Sequence, residues 1–151
     1  GRMMGEALAH TLCGNTTEYN PGHWFNSAKF LDVEYQTYGW VFSERSKKDH
    51  EQHFHWRHDK EKICITIAYD KDTKLFLGIN TFGIRMRHEI FDQWLTEKKD
   101  IDHVMEYLKD ANFDPEFYKK HEEHIVAAYN KKMGTNINTK KKSWKRIFSK
   151  A

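Results

Sequence analysis

Hydrophobic and polar residues alternate with a period of two in the stretches between about residues 28 and 82 and recur with a helical period after residue 87. In the first alternating stretch, Leu31, Val33 and Tyr35 alternate with acidic and amide side chains. These patterns predict four strands, over about residues 28–43, 52–58, 62–69 and 75–82. Because short polar turns separate the strands, we expect an antiparallel meander.

The helical period begins at Arg87 and continues, with two interruptions, to residue 129. The apolar positions of the three predicted helices are Ile90, Phe91, Trp94 and Leu95; Ile101, Val104, Met105 and Leu108; and Phe117, Ile125, Val126 and Tyr129. Asp114 and Pro115 suit the start of the third helix. The sequence therefore predicts an α+β domain, with an antiparallel sheet of four to five strands covered on one face by C-terminal helices.

Three parts of the chain differ in pattern. Residues 1–14 predict a helix with Met4, Leu8 and Leu12 on one face and Gly14 as its C-terminal stop. Since no capping residue precedes this helix, we interpret it as the last helix of a preceding domain. Residues 15–138 would form the α+β domain, and residues 139–151 a separate basic tail.

Composition is typical of one soluble globular domain that relies on aromatic packing, with 151 residues, 38% hydrophobic and 15% aromatic. Six of the 25 basic residues and none of the 22 acidic ones lie in residues 139–151, so the rest of the chain has a formal charge of −3. That sign disfavours a broad nucleic-acid interface. The sequence contains no long apolar run and no signal peptide, which predicts a cytoplasmic location.

A loop rich in large apolar residues is predicted just before the first strand. The segment from Pro21 to Ser27 has the composition of a turn, yet it contains Trp24 and Phe25. Large apolar groups in a loop need a surface to cover. They either pack on their own sheet or cover a surface outside residues 1–151.

This segment and two others resemble the C-terminal, interface-type domain of FAD-dependent pyridine nucleotide-disulphide oxidoreductases, in the style of ferredoxin reductases and apoptosis-inducing factor. In that family a Phe-Trp-Ser loop leads into a strand that ends in Gly. The matching residues here are Phe25, Ser27, Asp32, Val33, Tyr35 and Gly39, with Asn26 where the family has Trp. The segment Lys74 to Phe82 is similar to a later family strand, and the first helix, with Gly5 and Ala9, to the helix that closes the FAD domain. The resemblance covers about residues 1–110, and the region from Asp114 onward has no matching counterpart.

The resemblance implies a role for this domain in a larger flavin enzyme that moves electrons from NAD(P)H through FAD to an acceptor. Trp24, Phe25, Asn26 and Ser27 would lie near the flavin. The domain would cover the flavin site, form a subunit interface or dock the acceptor. Its implied partners are the preceding FAD and NAD(P)H domains, a second copy in a homodimer, and an electron-acceptor protein.

Cofactor-binding motifs are absent from the sequence itself. It has neither a G-x-G-x-x-G turn after a strand nor a P-loop, so it offers no phosphate cradle of its own. We therefore expect the isolated chain to bind neither FAD nor NAD(P)H and to be inactive alone.

A histidine-rich strand supports an alternative function. His53 and His55 are two residues apart, so on a strand they share a face and could ligate one transition metal. A solvated polar face opposite Phe54 and Trp56 is the other interpretation. A functional site at these histidines would make the chain a stand-alone metal-binding or protein-interaction module.

The basic tail also has two interpretations. Trp144, Ile147 and Phe148 follow Lys140–Lys142 and would lie on one side of a helix. Such a segment suits an anionic membrane surface or an acidic partner. Alternatively, it docks on the negatively charged body of the same chain.

Overall fold

Five strands form one antiparallel sheet in the computed structural model of this chain, which describes residues 1–113 and 119–140. The strands are β1 (Phe25–Phe30), β2 (Val33–Gly39), β3 (Glu51–Arg57), β4 (Cys64–Asp70) and β5 (Phe76–Phe82). The helices are α1 (Arg2–Leu12), α2 (His88–Thr96), α3 (Ile101–Glu106) and α4 (Glu122–Met133), with a 3-10 turn at Leu108–Ala111. The predicted α+β class is confirmed.

The strand order is β1-β2-β5-β4-β3, and every neighbouring pair is antiparallel. Strands β3, β4 and β5 form a meander, but the chain crosses from β2 to the far edge of the sheet before β3 begins. The prediction of a simple meander was therefore wrong for β2, which pairs with β5. Local alternation identifies strands, whereas this long-range pairing depends on contacts between distant segments.

The first predicted strand is in fact a hairpin. The prediction of one strand over residues 28–43 was wrong, since the chain reverses at Leu31 and Asp32 between β1 and β2. Leu31 has a φ of 53°, a left-handed value that glycine and asparagine adopt more readily than leucine. Its side chain is 95% exposed. The Asp32 carboxylate accepts a hydrogen bond from the Lys62 ammonium at 2.9 Å, beside the turn. Alternation continues through this turn, so the pattern gave no sign of it.

Two glycines allow the chain to cross closely over the sheet after β2. A Cβ atom on Gly78 would lie 2.6 Å from the Tyr38 carbonyl oxygen and 2.7 Å from the Trp40 nitrogen. Gly39, with a φ of 66°, has the Leu77 carbonyl oxygen 2.3 Å from the equivalent position. The crossing therefore requires glycine at both positions.

Helices α2, α3 and α4 cover one face of the sheet, as predicted. The alternation in β4 places Ile65 and Ile67 in the hydrophobic core, to which Phe91 and Trp94 from α2 also belong. The α4 side chain of Tyr129 donates a hydrogen bond to the Asp102 carboxylate at 2.6 Å. Among the described residues, the other fully buried helical side chains are Ile101, Val104, Met105, Leu108, Ala111 and Ile125.

Helix α1, at the start of the chain, lies within the described residues, whereas much of the predicted C-terminal part lies outside them. The described side chains of α1 are not buried, and Met4, Leu8 and Leu12 are all more than half exposed. The predicted start of the third helix at Asp114 and Pro115 lies outside the described residues, within which α4 begins at Glu122. Most of the predicted tail, residues 141–151, also lies outside them. No helix in the described ranges is long and apolar enough to cross a membrane.

His121, at the start of α4, should make the stability of the chain depend on pH. It is 5% exposed, and burial, then the charge on His58, lower its pKa below the usual 6.5. The unfolded chain therefore takes up this proton first as pH falls. We expect this stability contribution to be complete above about pH 6.5 and to be lost below it.

Urea titrations at about pH 7 and pH 5 would measure this effect. The variant His121→Gln should show a smaller loss of unfolding free energy on acidification than the parent, whereas exposed His124→Gln should behave like the parent. An equal loss in parent and His121→Gln would contradict the assignment.

Candidate functional site

The residues from Trp24 to Ser27 lie at the free edge of the sheet. The predicted turn over residues 21–27 was wrong in its second half, because Phe25, Asn26 and Ser27 belong to β1 and pair with β2. Trp24 precedes the strand, and its carbonyl oxygen accepts a hydrogen bond from the Gly39 amide at 2.8 Å. Strand β1 has a partner on one side only, so its other edge faces outward.

Trp24 begins an aromatic row, which we define as Trp24, Trp40 and Phe42. The Trp24 and Trp40 rings are nearly parallel with centroids 5.8 Å apart, and Trp40 stacks on Phe42 at the same spacing. Trp24 is 49% exposed and Trp40 58%. The row therefore leaves much aromatic area available for a further surface.

Phe25 is covered on one side only. Its ring stacks on Tyr38 at 5.0 Å and on His88, the first residue of α2, at 5.2 Å, yet 46% of it stays exposed. Tyr38 is buried and stacks in turn on Phe91. Burial, then the negative charge of Glu89, raise the pKa of the Tyr38 hydroxyl, which stays protonated at neutral pH. A rigid aromatic stack thus holds Phe25 at the edge.

Asn26 and Ser27 supply polar groups to the same edge. The Asn26 amide donates to the Tyr35 hydroxyl at 3.3 Å, so its carbonyl oxygen remains available as an acceptor. Ser27 lies opposite Gln36, which is buried and accepts a hydrogen bond from the Met86 amide at 2.8 Å. Because successive side chains of a strand point to opposite faces, Ser27 shares the face of Phe25, whereas Asn26 lies on the other face. The face with Phe25 and Ser27 combines an aromatic ring with a hydroxyl group and suits a planar polar ligand or a protein surface.

Exposed large hydrophobic side chains are concentrated in the same part of the molecule. Of the twelve such side chains among the described residues, ten lie in the first 40 residues. They are Met3, Met4, Leu8, Leu12, Tyr19, Trp24, Phe25, Phe30, Leu31 and Trp40. Among the described residues, most of the exposed large hydrophobic side chains thus lie in α1, in β1 and in the segments beside them.

His53 and His55 share one face of β3, and their ring nitrogens contact protein groups. The two ring nitrogens of His53 lie 2.7 Å from a Glu51 oxygen and 3.3 Å from a Glu44 oxygen. His55 Nδ1 lies 2.9 Å from the Thr66 hydroxyl. Among residues 1–113 and 119–140, no group of three or more His, Cys, Asp or Glu side chains could hold a metal ion. A metal at these histidines stays a prediction.

No protein-family model matches this chain, and no curated protein matches it. Solved structures do match it. A NAD-dependent persulfide reductase from A. fulgidus aligns with a TM-score of 0.59 and 16% identity over 93% of this chain and 29% of that chain.

Two further solved structures are similar. An FAD-dependent pyridine nucleotide-disulphide oxidoreductase from Desulfovibrio vulgaris has a TM-score of 0.52 and 13% identity over 84% of this chain and 30% of its own. The reduced CoADR-RHD of Bacillus anthracis has a TM-score of 0.51 and 17% identity over 84% and 25%. The chain thus spans about a quarter to a third of each of these three structures.

The fold is that of one part of these larger oxidoreductases. At this identity the likeness shows the fold alone, and at that level it confirms the resemblance found in the residues. The role of Trp24, Phe25, Asn26 and Ser27 near a flavin stays a prediction.

Sequence reasoning missed the partners of these residues. Trp40 and Phe42 were assigned to the end of a long strand, and His88 to an ordinary helix start. Their stacking on Trp24 and Phe25 depends on the β1–β2 register and on the position of α2. A Trp-x-Phe pattern directly after a strand-ending glycine is the signal that could have found the row.

Proposed function

We propose that this chain comprises the C-terminal domain of a flavin-dependent NAD(P)H oxidoreductase together with α1, the last helix of the preceding FAD domain, and that the C-terminal domain covers the flavin site through the β1 edge. The flavin supplies the hydride chemistry in such enzymes, and the protein binds and orients. The chain would supply Trp24, Phe25, Asn26 and Ser27 to the wall of the site and would be inactive alone.

The uneven distribution of exposed apolar surface is the main support. Ten of the twelve exposed large hydrophobic side chains among the described residues lie in the first 40 residues, and such a concentration is typical of segments that another surface covers. These side chains lie largely in the segments that resemble the flavin family. The described fold also matches parts of larger oxidoreductases whose names include NAD and FAD.

The test uses the full gene product, with two matched substitutions on β1. Phe25 and Phe30 stand at opposite ends of this strand and are both largely exposed. We expect Phe25→Ala to shift the visible absorption of the bound flavin and to slow its reduction by NAD(P)H. Phe30→Ala, about 17 Å away along the strand, should change neither.

Two results would contradict the proposal. One is a full gene product with no dinucleotide-binding fingerprint and no bound flavin. The other is an unchanged flavin spectrum and reduction rate in Phe25→Ala. Flavin retained by the isolated 151-residue chain through purification would contradict its expected dependence on the preceding domains.

A further inference from the structure

A cavity of about 490 Å³ lies on the helical side of the domain, between the 3-10 turn and the start of α4. Its described lining includes Lys109, Asn112, Lys120, Glu122 and Glu123. The size is typical of small-molecule sites.

A buried carboxylate without a cation distinguishes one wall of the cavity. Glu122 is 2% exposed, and one of its oxygens accepts a hydrogen bond from the Asn112 amide. Within the described ranges, no Lys or Arg forms an ion pair with it, and its electrostatic neighbour His121 is buried with a pKa below the usual 6.5, so that ring is mainly neutral at pH 7. A carboxylate removed from water is costly unless an opposite charge or several hydrogen bonds compensate it.

Asn112 adds a second group that lacks a partner. It is 6% exposed, and its carbonyl oxygen has no hydrogen-bond partner in the described part of the chain. Two acceptor groups therefore adjoin each other at the same wall. A ligand group that only donates, such as an ammonium, matches this pair.

Lys120 supplies the opposite charge to the cavity. Lys109 is already paired with Glu123 at 2.7 Å, whereas Lys120 is exposed and makes no ion pair among the described residues. An anionic group is favoured there.

We propose that this cavity binds a small zwitterion of the amino-acid class. Its ammonium group pairs with Glu122 and the carbonyl oxygen of Asn112, after a small rotation of that side chain. Its carboxylate pairs with Lys120. The ligand thus supplies the cation that the buried carboxylate lacks.

The test titrates the 151-residue chain with glycine, β-alanine, γ-aminobutyrate and δ-aminovalerate, which differ in the spacing of the two charges. Butyrate and butylamine, with one charge each, are the matched control ligands. Calorimetry should show at least one amino acid binding about tenfold or more tightly than both controls. Weaker or equal binding of every amino acid would overturn the proposal.

Three variants assign the charges. Glu122→Gln should weaken amino-acid binding about tenfold or more. Lys120→Ala, at an exposed position, should weaken amino-acid binding but leave butylamine binding unchanged, and it is informative even if Glu122→Gln fails to fold. Glu89→Gln, at an exposed position of α2 that does not line the cavity, is the control and should bind within about twofold of the parent. Unchanged affinity in Lys120→Ala would overturn the proposal.

Discussion

Replacing Gly39 with alanine should lower the free energy of unfolding by about 2–5 kcal/mol. A φ of 66° is unfavourable for any residue with a Cβ atom, and this Cβ would lie 2.3 Å from the Leu77 carbonyl oxygen. Relieving that overlap must move the backbone. Since the Gly39 amide binds the Trp24 carbonyl oxygen, the shift would also displace the start of the aromatic row.

Gly22 provides the matched control for this prediction. Its φ of 71° is similar, but nothing lies within 4 Å of the position of its Cβ. Gly22→Ala should therefore cost at most about 1–2 kcal/mol. Urea denaturation of both variants isolates the cost of the overlap. Equal losses would show that the close crossing over the sheet does not constrain Gly39.

Replacing Trp94 with alanine should cost about 3–5 kcal/mol of unfolding free energy. Trp94 is fully buried and meets Phe91 edge to face, with ring centroids 5.4 Å apart, so its removal leaves a cavity between α2 and the sheet. Trp40→Ala is the control, because that ring is 58% exposed and should cost less than about 1 kcal/mol. Both losses would be measured from the midpoints of urea denaturation, and we expect the dependence of the unfolding free energy on urea concentration to be the same in both variants. Similar losses in the two variants would contradict the assignment of Trp94 to the core.

The parts of the fold with strong local periodicity were predicted well. Strands β3, β4 and β5 and helices α2 and α3 lie within a few residues of their predicted positions, since each buries one regular face. The β1–β2 turn was missed because Leu31 adopts a left-handed conformation that its residue type rarely takes. The crossing after β2 was missed because it depends on Gly39 and Gly78, which are distant in sequence.

The candidate site was predictable in its residues but not in its geometry. Trp24 and Phe25 stood out as large apolar groups before a strand, and both are about half exposed. The stacking of Phe25 on Tyr38 and His88 depends on register and helix placement, which no local pattern encodes. The cavity wall at Glu122 could not be predicted from the sequence either, since an acidic residue in the first turn of a helix is common. Only its burial beside Asn112 distinguishes it.

Hydrogen exchange of the isolated chain and of the full flavoprotein, compared amide by amide, tests the central claim most directly. If a flavin-bearing domain covers α1 and the β1 edge, amides in Arg2–Leu12 and Phe25–Phe30 should exchange at least about tenfold more slowly in the flavoprotein. Amides in Glu51–Arg57, at the opposite edge of the sheet, should exchange equally in both. Equal exchange of α1 and β1 in the two proteins would contradict the account.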